Sequence, residues 1–235
     1  MANRLLPKVS IWISCLLACL APLSALAAPE QQIFRQEFRV SSSGVPISVT
    51  AQRSLRQIDH NTWQMEIEAR NMIGRIREVT RFRWDQCTPQ TTQYSYLREG
   101  LGQKREALLT LNRETGMASS LRSNGSQREY PITDTTTDKL SQTLALQCML
   151  QRGDNELTVD EADEKGREQE SYRRDGEELL QTPAGPMRTV RLIRDNDDSD
   201  SRRTWLWFAP EHNFALVKLV QEEDNQRHEM LIRSL

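Results

Sequence analysis

The chain has 235 residues, with 31 Lys and Arg against 33 Asp and Glu and a hydrophobic share of 37%. That mildly acidic balance excludes the basic patch or stripe of a nucleic-acid binder, and the length suits one good-sized core, so a single domain is the default. Three histidines without the close spacing of a zinc motif give no metal site, and no cofactor is expected.

The first element is a leader spanning residues 1–27. Arg4 and Lys8 precede an apolar run from Val9 to Ala21, and Ala25-Leu26-Ala27 forms a small-residue exit. This is the layout of a secretory signal peptide cleaved near Ala27. The run is shorter than the ~20 apolar residues a transmembrane helix needs, and nothing later in the chain is long and apolar enough to span. Residues 28–235 are therefore expected as one β-rich domain in the periplasm, with no transmembrane segment. Its 29 bases, the 31 less the two in the leader, face 33 acids for a net charge of −4. The alternative is a lipoprotein whose first residue is Cys19, after Leu16-Leu17-Ala18. Leucine just before the small residue, and the apolar stretch such a start would leave behind, count against it.

Period-two alternation then dominates. In "NTWQMEIEARN", Trp63, Met65, Ile67 and Ala69 share one face; in "RIREVTRFRWDQ", Ile76, Phe82 and Trp84 share one with Glu78 and Thr80. Further strands are read at Ile33 to Val40, Pro46 to Ile58, Gln93 to Leu97, Glu106 to Leu111 and Glu156 to Asp160. The last four are Met187 to Arg194, Arg203 to Phe208, Phe214 to Gln221 and Arg227 to Ile232. Turn chemistry separates them, including "REGLG", "NRETG", "SNG", "DEKG", "RRDG" and "DNDDSD". The last of these, Asp195 to Asp200, lacks the glycine and glutamate of a calcium loop and reads as a solvated hairpin tip.

One segment breaks the pattern. Residues 137–151, "TDKLSQTLALQCMLQ", carry no charge from Leu140 onward, and Gly153 offers a stop. A helix apolar on most sides is a buried one. The expected fold is mainly β: a strongly curved, mostly antiparallel meandering sheet, or half-open barrel, wrapped around that helix.

Cys87 and Cys148 survive cleavage, and in an oxidising compartment they either form a disulfide or pack as two buried thiols. Arg75, Arg77, Arg81 and Arg83 form a ladder on one strand face, either solvated and paired with glutamates or an interaction face for anionic envelope material. Trp205 and Trp207 share one face of a strand whose other face carries Leu206 and Phe208. With Leu144 and Leu146 of the helix, these two tryptophans are the candidate contacts of an apolar ligand; core packing is the competing account. No nucleophile elbow or phosphate-binding glycine loop is present, and no catalytic residue is assigned.

The C-terminal half resembles a Gram-negative family known as domain of unknown function 3108. The similarity rests on Asp138-Lys139-Leu140-Ser141, Thr182-Pro183-Ala184-Gly185, Val190-Arg191 and Trp207-Phe208-Ala209-Pro210, and departs from the family pattern at Ala215-Leu216-Val217-Lys218, where a proline is expected. The resemblance implies an exported β-rich protein without assigned catalytic residues. The architecture is also similar to periplasmic lipoprotein carriers, a likeness of fold alone. The expectation is a non-enzymatic envelope protein holding an apolar or lipid-like ligand in its concave face. The alternatives are an interaction or structural module without a ligand, partnered by another envelope protein, and a hydrolase of envelope polymers.

Overall fold

The computed structural model describes residues 32–195 and 202–235. The leader, its Cys19 alternative and the acidic stretch beyond Asp195 lie outside the described residues.

The described residues form one 15-stranded sheet and one α-helix. The strands are β1 (Phe34–Ser42), β2 (Val45–Gln57), β3 (Trp63–Arg70), β4 (Gly74–Asp85), β5 (Thr88–Gly100), β6 (Gln103–Asn112), β7 (Met117–Arg122), β8 (Gln127–Pro131) and β9 (Thr136–Asp138). After the helix α1 (Gln142–Arg152) come β10 (Leu157–Ala162), β11 (Arg167–Thr182), β12 (Gly185–Arg194), β13 (Arg203–Ala209), β14 (Ala215–Glu223) and β15 (Gln226–Ser234). A short 3-10 turn, Pro210–His212, links β13 to β14. Among the described residues, no helix is long and apolar enough to cross a membrane.

Strand order is β8-β7-β6-β5-β4-β3-β2-β1-β15-β14-β13-β12-β11-β10-β9. The meander is antiparallel except for β9, which pairs parallel with β10. The two outermost strands, β8 and β9, are consecutive in the chain and only four residues apart, so the sheet must curl until its ends approach. Side chains rather than a backbone ladder bridge the approach: Ser120 and Arg122 donate to the Glu164 carbonyl at 3.1 Å each, and Tyr130 donates to the Asp163 carbonyl. The result is a half-open barrel.

Both arms of the curled sheet pack on the helix. Leu140 and Leu144 join Met65, Phe82, Tyr94 and Leu109 from one arm, whereas Leu146 and Leu150 join Leu157, Val190, Leu206 and Phe208 from the other. Near the middle of the sheet a third cluster gathers Phe38, Trp207, Val217 and Ile232. Burying a leucine or phenylalanine contributes about 1.5–3 kcal/mol, so a helix clasped from two sides stabilises the curl as well as itself.

Two local readings are corrected. The helix starts at Gln142 rather than Thr137, because Thr136–Asp138, with its run of β-branched threonines, forms β9 instead. "RRDG" is not a separator: it lies inside the 16-residue β11, where the register shifts between Arg174 and Glu177. Gly176, at φ 112°, takes the strain of that bulge. Strands β7, β8 and β11 are short or highly polar, so they gave little alternation to read. The Gly153 stop holds: it is left-handed at φ 80°, and its N–H reaches the Leu150 carbonyl at 3.1 Å.

Candidate functional site

The Asp138-Lys139-Leu140-Ser141 motif joins β9 to α1. Asp138 is fully buried, yet its carboxylate accepts from the hydroxyls of Thr80 (2.6 Å), Thr91 (2.6 Å) and Ser141 (2.5 Å) and from the backbone N–H groups of Leu140 (2.9 Å) and Ser141 (3.2 Å). Five donors satisfy a charge that would otherwise be costly to bury. The knot pins the start of the helix to β4 and β5. Arg113 reinforces it by donating to the carbonyls of Thr91 and Thr136.

Lys139 sits beside this knot, its ammonium 5.2 Å and 5.0 Å from the ring centres of Tyr94 and Tyr96. Burial works to lower its pKa, but Glu78, Glu164, Glu161 and Asp163 outweigh that and the net shift is upward. Tyr94 donates to Glu78 at 2.6 Å; burial first, then that carboxylate, holds the phenol well above its usual range. Burial, reinforced by Glu170 and Asp163 and opposed by Lys139, pushes Glu161 up to about 8. Gln142 donates to Glu161 and accepts from Tyr172 at 2.9 Å, so the cluster fastens the helix to the β10–β11 arm. Among the described residues, no group of three or more His, Cys, Asp and Glu side chains is arranged to hold a metal ion.

On the other side of the helix lies a groove of about 350 Å³. Phe34, Leu55, Leu144 and Ala215 supply apolar walls, and Gln36, Gln147 and Gln151 are among its polar groups. Gln147 and Gln151 each donate at 2.9 Å to the Asn213 carbonyl, which ties the 3-10 turn against the helix and shapes one rim. Behind Gln36 and Phe34 lies Arg53, only 1% exposed. Its guanidinium donates at 2.9 Å to Gln36 and at 2.9 Å to Thr143, and stacks 4.8 Å from the Phe34 ring centre. Among the described residues no carboxylate forms an ion pair with it, and burial lowers its pKa to about 9. The groove therefore mixes apolar wall with polar side chains from Gln32, Gln36, Gln147, Gln151, Glu211 and His212, and is backed by a buried cation.

Residues 37–233 match the family described as "Protein of unknown function (DUF3108)". The chain belongs to the DUF3108 family. A β-barrel-like protein of the domain of unknown function DUF1849 from Brucella abortus shares the fold, with a TM-score of 0.53 at 8% identity over 85% of this chain and 95% of that one. A candidate lipoprotein from Parabacteroides distasonis aligns over 88% of this chain and 96% of its own, at 11% identity and a TM-score of 0.34. No curated protein matches the sequence.

Within this DUF3108 chain the expected site residues separate. Leu144 lines the groove, Leu146 is wholly buried in the other helix-facing cluster, and Trp205 and Trp207 belong to the third cluster. Trp207 donates to Glu178 at 2.5 Å and stacks with Lys218, whose ammonium is 4.7 Å from its ring centre. Cys87 and Cys148 form a disulfide that ties the helix to the β4–β5 turn. In the arginine ladder, Arg75 pairs with Glu68 at 3.0 Å, Arg77 pairs with Glu66 at 2.7 Å, and Arg81 donates to Gln64 at 3.4 Å, while Arg83 is exposed. Sequence reading missed Arg53. The signal was its register with Ala51 and Leu55, which places a charge on the buried face of β2.

Proposed function

We propose that this DUF3108 protein is an exported, non-enzymatic component of the cell envelope that binds an apolar, lipid-like molecule in the groove beside α1. The groove itself carries the reading. Its volume falls in the range of small-molecule sites, and Ile33, Phe34, Leu55, Leu144, Ala215 and Leu235 give it an apolar side beside its glutamines, suited to a molecule with an apolar body and a polar end. Core side chains of both arms pack against α1, and among the expected contacts Leu144 alone lines the groove, joined by Phe34 and Leu55. Leu146, on another side of α1, packs into the opposite arm of the sheet.

Native mass spectrometry of protein purified from the periplasm of its own host tests this. A bound apolar molecule, lost when Leu144→Trp fills the groove, is the expected result. Protein that is uniformly free of any bound molecule would overturn the reading.

A further inference from the structure

One end of the sheet breaks several rules at once. The β3–β4 turn exposes Met72 completely, at 101% of its reference area, and Ile73 at 56%; the neighbouring β5–β6 turn exposes Leu101 at 84%. The two tips are locked side by side, because Gly74 and Gly100 are register partners whose backbones touch. A Cβ at Gly100 would fall 2.5 Å from the Ile73 carbonyl oxygen, and one at Gly74 would fall 2.7 Å from that of Glu99. Asn71 holds its own turn by accepting from the N–H groups of Ile73 (3.0 Å) and Gly74 (2.9 Å).

Neither packing nor backbone preference explains a leucine at position 101. Leu101 has φ 51° and Gly102 φ 74°, the left-handed pair of a tight hairpin that favours Asn or Gly at the first place. A bulky apolar residue there is strained and also exposed. Immediately behind the tips, Arg70 faces Arg75 and Arg98 faces Arg105 as direct cross-strand partners. Like charges in that relation repel. Arg98 and Arg105 also line a groove of about 390 Å³ at this end, with Arg75, which pairs with Glu68, and a single acid, Glu99. Apolar tips, strain and clustered positive charge converge on one surface, which is where a functional demand overrides local stability.

We propose that this end of the sheet docks on an anionic lipid surface. Met72, Ile73 and Leu101 enter the acyl boundary, and the arginines behind them meet the headgroups, the division of labour used by interfacial membrane anchors. Docking by this end does not depend on the groove beside α1.

The test is co-sedimentation of the exported protein with vesicles of phosphatidylethanolamine and phosphatidylglycerol, with phosphatidylcholine vesicles as the neutral comparison. The wild type should bind the anionic vesicles and release them as salt rises. Leu101→Asn with Met72→Ser should weaken binding at least about tenfold, and Arg98→Gln with Arg105→Gln about fivefold per charge. Because asparagine suits the left-handed turn, Leu101→Asn alone should raise the melting temperature while lowering binding, a combination that damage to the fold does not produce. No binding to anionic vesicles, binding indifferent to lipid charge, or binding unchanged in the tip variants overturns the proposal. A photo-crosslinker at position 72 that captures one envelope protein, or self-association abolished by Leu101→Asn, overturns it in favour of a protein partner or a second copy.

Discussion

Cys148, on the buried side of α1, is bonded to Cys87 in the turn between β4 and β5, 61 positions earlier in the chain. The bond and the Asp138 knot therefore hold the second half and the start of an 11-residue helix to the same pair of strands.

Closing a loop of this length removes about 4 kcal/mol of chain entropy from the unfolded state in the loop-closure model. Replacing both cysteines with alanine should lower stability by about 3–4 kcal/mol in a urea titration. A loss below about 1 kcal/mol would show that core packing alone fixes the helix.

Asp138→Ala strands three hydroxyls and two backbone donors in the interior. Each buried group left unpaired costs about 1–3 kcal/mol, less where a hydroxyl turns to another acceptor. A net loss of about 3–5 kcal/mol is expected, with the helix signal in far-UV circular dichroism reduced even where the protein remains folded. Asp138→Asn keeps an acceptor and should cost less. Equal losses for the two variants would rule out the donor-counting account.

Glu161 has a folded pKa of about 8, raised chiefly by burial from an ordinary 4.5. The folded state thus holds this proton more tightly than the unfolded state, so the contribution to stability is complete below about pH 4.5 and is lost as pH rises through 8. Glu161→Gln, which keeps an amide oxygen to accept from Gln142 and does not titrate, should flatten that decline. Stability measured by denaturant titration from pH 5 to 9 checks it: an unchanged slope in the variant would assign the pH dependence elsewhere.

Arg53 is a buried cation without an ion-pair partner among the described residues, and burial lowers its pKa to about 9. Its charge opposes folding fully below that pH. Methionine matches the stem without the charge, so Arg53→Met should leave stability within about 1 kcal/mol of wild type or raise it. Arg53→Ala should instead cost about 2–5 kcal/mol through the cavity it opens. Thermal denaturation of the two variants side by side separates the charge from the volume.

The sequence alone determined the fold class and the identity of the central helix. Alternation in β3 and β4 put Met65, Thr80 and Phe82 on the face that proved buried, and the uncharged run from Leu140 could only be covered. These features are legible because side-chain periodicity records which face meets water. The polar β11 escaped notice for the converse reason: its backbone ladder with β10 and β12 holds it, and backbone hydrogen bonds leave no mark on residue type. What only the tertiary structure decided was which distant residues meet. It paired Cys87 with Cys148, gathered Thr80, Thr91 and Ser141 around Asp138, placed Arg53 behind the groove, and sent Leu144 and Leu146 to opposite arms of the sheet. All of those relations depend on how far a 15-stranded meander curls before its ends approach. Curvature is a property of the whole sheet, summed over every strand pair, and no short stretch of sequence carries it.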